Sequence, residues 1–165
     1  MKKTGIFYGS ATGTTADIAH RIADALKVAD TDVHDVANTA PTRLGDYDLI
    51  VIGSSTWGDG DLEDDMHDFI DGAQALDLSG KEVAIFGCGD ETMSTTFCNA
   101  VGTLFEKLRG TGAKMIGEFP AKGYHFEEST ATDGDTMVGL VIDEVNHPEL
   151  TDQRIKDWTA QIVKE

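Results

Sequence analysis

The sequence predicts an α/β domain spanning residues 1–165, built on a doubly wound, five-stranded parallel sheet with helices on both faces. Three observations predict it. Apolar segments alternate with amphipathic ones along the whole chain. The central apolar runs are continuous, as in parallel strands covered on both faces. Three of the strands end in loops rich in glycine and small polar residues: "GSATGTT", "GSSTWGDGD" and "GCGDETM".

Each element has its own signal. "GIFY" at 5–8 is a short buried strand. From Thr14 to Val28, the residues Ile18, Ala19, Ile22, Ala23 and Leu26 fall on one helical face. "DVHDV" at 32–36 alternates as a second strand, and "YDLIVIG" at 47–53 reads as a central one. Met66, Phe69 and Ile70 mark a helix over 62–73, and "EVAIFGCG" at 82–89 is the fourth strand. Phe97, Val101, Leu104, Phe105 and Leu108 form the stripe of a helix from Ser94 to Arg109. "AKMIGEF" at 113–119 starts a fifth strand, and "MVGLVID" at 137–143 reads as more strand. The acidic stretch between, from Phe119 to Thr136, is an insertion that interrupts it. Thr151 is expected to cap a last helix whose Ile155, Trp158 and Ile162 face inward.

Composition excludes several functions. Lys and Arg total 13 against 30 Asp and Glu, a net charge of −17 that repels nucleic acid and anionic membranes. Cys88 and Cys98 match neither a zinc knuckle nor a redox CxxC pair, so they read as free buried thiols of a reducing compartment. Only Ile6, Phe7 and Tyr8 follow "MKKTG" before polar residues begin, which is not a secretory leader, and no run approaches the roughly 18 apolar residues of a membrane helix. A cytoplasmic location is expected. The five histidines lack metal-ligand spacing, and the acids from Asp59 to Asp71 do not fit the DxDxDG calcium loop.

In doubly wound sheets, ligands bind beyond the carboxyl ends of the strands. The loop "GSATGTT" leads into a helix whose free N–H groups attract anions. Ser10, Thr12, Thr14 and Thr15 add hydroxyl donors, and no lysine or arginine is present. This is neither the P-loop GxxxxGK[ST] nor the dinucleotide GxGxxG. A terminal phosphate monoester held by neutral donors fits the loop, which otherwise serves only to cap the helix. Trp57, among small and turn-forming neighbours, offers a stacking surface for a planar ring, or else covers the edge of the core. Together these features describe a site for a mononucleotide with a large planar ring.

The motifs "GSATGTT", "STWGDG", "GCGD…FCNA" and "VGLVIDEVNHPELTDQRI" resemble those of flavodoxins over the whole chain, and the broken fifth strand resembles the long-chain branch. The resemblance implies strand order 2-1-3-4-5 and non-covalently bound flavin mononucleotide (FMN). It implies that Ser10, Ala11, Thr12, Gly13, Thr14 and Thr15 hold the phosphate. Ser55, Thr56 and Trp57 would lie along the ring, with Trp57 on one face. The carbonyl of the Gly58–Asp59 peptide would meet ring N5 once the flavin takes up one electron. Cys88, Gly89 and Asp90 would line the pyrimidine end, with Phe97 nearby. Counting back from "FCNA" puts Met93 where the family usually has a tyrosine over the second face, in a loop one residue shorter than usual.

The implied function is low-potential, one-electron transfer between a reductase, such as a basic flavodoxin or ferredoxin reductase, and low-potential acceptors. The protein would be a monomeric carrier and not an enzyme. Asp59, Asp61, Glu63, Asp64, Asp65 and Asp90 would disfavour an anionic reduced ring, keeping the second potential low. A receiver domain would need an aspartate where Ser54 and Ser55 stand, and a cysteine-dependent phosphatase would need cysteine and arginine in the first loop. A flavodoxin-like NAD(P)H-dependent quinone reductase is the alternative, but no segment marks a nicotinamide site.

Overall fold

In chain order the elements are β1 (Thr4–Gly9), α1 (Thr14–Leu26), β2 (Val33–Asp35), β3 (Leu49–Trp57), β4 (Asp61–Leu62), α2 (Asp64–Ala73), β5 (Glu82–Cys88), α3 (Asn99–Arg109), β6 (Lys114–Ile116), β7 (Phe119–Pro120), β8 (Thr132–Asp133), β9 (Thr136–Met137), β10 (Leu140–Ile142) and α4 (Pro148–Ile162). The computed structural model describes residues 3–9, 13–57, 61–62, 64–89, 99–120, 129, 131–133 and 136–163, with backbone alone at Thr56, Trp57, Asp61 and Asp133.

The main sheet runs β10-β5-β3-β1-β2, with β6 also on the outer edge of β5. All of these pairings are parallel. Counting β6 and β10 as halves of one strand gives the expected order 2-1-3-4-5.

The continuous apolar runs serve both faces. Phe7, Ile50, Ile52, Val83, Ile85 and Val141 pack with Met66, Phe69 and Ile70 of α2 and Val101, Leu104 and Leu108 of α3. The alternate residues Ile6, Leu49, Val51, Ala84, Phe86, Leu140 and Ile142 pack with Ile18 and Ile22 of α1 and Ile155, Trp158 and Ile162 of α4. Each such side chain, once fully buried, contributes about 1.5–3 kcal/mol. A polar residue in the middle of "LIVI" would therefore unseat one helix layer or the other.

Three expectations need correction. The second strand is shorter than 32–36, because 3₁₀ turns at Asp30–Asp32 and Val36–Asn38 close on both its ends. The apolar run 137–143 is not one strand. Met137 pairs antiparallel with Phe119 and Thr132 in a separate three-stranded sheet, and only Leu140–Ile142 joins β5. Gly139 makes the crossing between them, since a Cβ there would lie 2.2 Å from the Ile85 carbonyl oxygen. Thr151 does not cap α4. The helix starts at Pro148 with His147 as its N-cap residue, because proline is preorganised for the first helical position. Thr151 is instead buried within the first turns, and its hydroxyl has no partner.

Candidate functional site

Register brings the ends of four strands side by side. Gly9 pairs with Ser54, Ser54 with Gly87, Ser55 with Cys88, and Cys88 with Ile142. Neighbouring strands lie about 4.8 Å apart, so β1, β3 and β5 open their loops from a strip about 10 Å wide. The strand ends that lead into the three glycine-rich segments therefore lie side by side.

At the first loop, Gly13 adopts φ 91°, a left-handed conformation suited to glycine, and α1 begins immediately after it. Its N-cap residue is a glycine and so brings no capping side chain of its own. Thr15 is fully buried, and its hydroxyl has no oxygen or nitrogen partner, only the Cys88 thiol beside it. A buried hydroxyl without a partner costs about 1–3 kcal/mol. The N–H groups of a helix N-terminus and a buried hydroxyl with only a thiol beside it can both serve an anionic acceptor. A phosphate monoester supplies three acceptor oxygens, so the donor set fits one.

Cys88 lies next to Thr15 with its side chain in the α1/α4 layer. Burial pushes its thiol pKa up to about 12; the Thr15 hydroxyl lowers it, Glu144 and Asp17 raise it, and Arg21 lowers it. The thiol thus points into the core, and what Cys88 presents at the strand end is backbone. Gly89 follows it, and its N–H donates to the Ile142 carbonyl at 3.0 Å.

At the second loop, β3 runs on past the sheet and folds back. Thr56 pairs with Leu62 and Trp57 with Asp61 in an antiparallel hairpin. Leu62 is buried in the α2/α3 layer with Met66 and Phe69, which anchors the returning arm. Beyond it, Asp64, Asp65 and Asp68 are exposed on α2.

Of the predicted site residues, Gly13, Thr14, Thr15, Ser55, Cys88 and Gly89 gather at this edge, with the backbones of Thr56 and Trp57. Ser10, Ala11, Thr12, Gly58, Asp59, Asp90, Met93 and Phe97 lie outside the described residues. Sequence reasoning assigned no role to the end of β10. There the fully buried Asp143 accepts from the backbone N–H of Val145 at 3.0 Å and of Asn146 at 2.9 Å, and from Asn146 Nδ2 at 2.8 Å. This turn stiffens the strand end beside Gly89. An aspartate leading a short polar stretch, as in "DEVN", was the available signal.

The flavodoxin family model matches residues 6–158. The chain belongs to the flavodoxin family. Flavodoxin 1 of Escherichia coli K12 is 43% identical over all of this chain and 95% of its own length. The flavodoxin of Synechococcus elongatus is 40% identical over all of this chain and 98% of its own. Fusobacterium nucleatum flavodoxin, solved bound to flavin mononucleotide, superposes with a TM-score of 0.93 at 30% identity, covering 99% of this chain and 98% of that one. Flavodoxins are electron-transfer proteins, not enzymes. Among the described residues, no helix is long and apolar enough to cross a membrane.

Proposed function

We propose that this protein binds FMN non-covalently and carries single electrons between a basic reductase and low-potential acceptor proteins, as a cytoplasmic monomer. The observation that supports the reading is the buried Thr15 hydroxyl, without an oxygen or nitrogen partner, in the first turn of a helix that starts beside the aligned ends of β1, β3 and β5.

When bound, FMN supplies the redox chemistry, taking up and releasing electrons one at a time. Ser10, Thr12, Thr14 and Thr15, with the backbone from Ala11 to Gly13, would hold the phosphate. Trp57 would cover one ring face and Met93 the other, excluding water. The carbonyl of Gly58 would be available to accept a hydrogen bond from the ring edge. Ser55, Thr56, Cys88, Gly89, Asp90 and Phe97 would surround the rest of the ring and its pyrimidine end. The carboxylates of Asp59, Asp61, Glu63, Asp64, Asp65 and Asp90 raise the cost of negative charge there, which lowers the potential of this carrier.

Purified protein is expected to be yellow, or to take up FMN when colourless, and to prefer FMN over riboflavin. Protein that binds neither flavin would overturn the reading.

A further inference from the structure

The phosphate loop has no cation of its own, and between Lys3 and Lys27 the sequence holds a single lysine or arginine, Arg21, next to His20. Arg21 stands two turns into α1, on the same side as Asp17. Long helical side chains lean toward the N-terminus, and that of Arg21 does so. Its Nη1 lies 3.4 Å from Asp17 Oδ2 in the first turn and 2.7 Å from Glu144 Oε1 beyond β10, and its Nη2 meets Asp152 Oδ1 on α4. Arg21 and Glu144 are mostly covered, at 29% and 23% side-chain exposure, so their charges are only partly screened.

Arg21 therefore gathers three carboxylates, of which Asp17 lies in the first turn of the helix that we assign to the phosphate and Asp152 is largely exposed on α4. Asp17 is four residues from Gly13, about 6 Å along the helix axis. That is within one Debye length, about 8 Å at physiological salt. The same charges bear on the end of β5: Glu144 and Asp17 push the Cys88 thiol pKa up and Arg21 pulls it down. With Arg21 present the cluster carries one positive and three negative charges. Without it, the charges of Asp17 and Glu144, and more weakly that of the exposed Asp152, go uncompensated and oppose the attraction of the helix end for a dianionic phosphate.

We propose that Arg21 is a positioning and specificity residue for the phosphate: by holding Asp17, Glu144 and Asp152, it keeps the α1 N-terminus attractive to a phosphorylated flavin. This rests on the FMN reading above. Arg21 also ties α1 to α4, so the test must separate charge from scaffold.

The test compares dissociation constants for FMN and riboflavin, read by quenching of flavin fluorescence at low salt and at 0.5 M salt. Arg21→Met is expected to weaken FMN about ten-fold at low salt while changing riboflavin less than two-fold. The gap should narrow at high salt, and Arg21→Lys should recover most of the loss. Asp152→Asn in the otherwise native protein should tighten FMN two- to three-fold and leave riboflavin unchanged. Loosening of the scaffold cannot produce that gain, and it remains readable even where Arg21→Met fails to fold. Equal loss of both flavins in Arg21→Met, or no gain in Asp152→Asn, would overturn the proposal while leaving FMN as the ligand. Native protein that binds FMN no better than riboflavin would overturn the phosphate assignment and this proposal with it.

Discussion

The indole Nε1 of Trp158 donates a 2.8 Å hydrogen bond to the carbonyl oxygen of Gly117, joining α4 to the point where the fifth strand breaks off. Both partners lie in the core, and Trp158 is fully buried. Trp158→Phe removes this donor and leaves a small void. Unfolding in urea should show a loss on the order of 2 kcal/mol. Flavin affinity should hold, because this contact is remote from the loop strip.

Thr15→Val should separate stability from binding. The hydroxyl is buried with only the weakly accepting Cys88 thiol beside it, so the isosteric methyl should stabilise flavin-free protein by up to about 1 kcal/mol. The same change removes a charge-assisted hydrogen bond to the phosphate, contributing about 1.5–3 kcal/mol, so FMN should bind at least ten-fold more weakly. A melting temperature that rises together with FMN affinity would remove Thr15 from the phosphate site.

Much of this architecture was legible in the sequence. Runs such as "LIVI" have two apolar faces, and only a sheet covered by two helix layers buries both. The stripes in α1, α3 and α4 pointed to the layers that cover it. Other features depend on contacts that no local window holds. The run 137–143 serves two sheets because Gly139 passes over the Ile85 carbonyl, which a count of apolar residues does not reveal. Thr151 looked like a cap because threonine favours that place, but Pro148 starts the helix earlier. The glycine-rich loops marked where we place the site. Arg21 did not announce its part, since its partner Glu144 is 123 residues away in the chain.

Lys27 ends α1 in the left-handed conformation, at φ 59°, with its N–H on the Asp24 carbonyl and that of Val28 on Ala23. Glycine is the residue this closing turn favours. Lys27→Gly should stabilise the protein by roughly 1 kcal/mol, read as a rise in the urea midpoint at constant slope. A fall would mean that the lysine stem contributes more than its backbone strain costs.

Cys88 should resist thiol reagents. Its thiol ionises only near pH 12 when folded, against about 8.5 for a free cysteine. In a Cys98→Ser variant, an aromatic disulfide reagent at pH 8 should find no thiol until denaturant is added. The folded state holds its proton more tightly than the unfolded one. This contribution to stability is complete below pH 8.5 and declines as pH rises toward 12. Prompt labelling of folded protein would show that β5 opens at its end.

From Trp57 to Gln74 there are seven acids and no lysine or arginine. Asp64, Asp65 and Asp68 are exposed there, on the side where the loops open. Replacing the three with Asn should slow electron transfer from a basic reductase several-fold at low salt. Stopped-flow rates of native and variant protein should converge near 0.5 M salt, where screening shortens to about 4 Å. Parallel salt curves would mean that these acids serve solubility alone.

The split fifth strand has a consequence for how this chain can change by descent. Ile116 sits opposite Ala84 and Leu140 opposite Phe86, so a single place, beside Ile85, separates β6 from β10. Residues 117–139 are spliced into the room of one. Each half-strand is held by its own partners on β5 and not by the chain between them. Closing a segment of that length costs roughly 3 kcal/mol of chain entropy, and doubling it adds only about 0.6 kcal/mol. Lineages can therefore lengthen, shorten or exchange the inserted piece while the register of every other strand passes unchanged to the next generation.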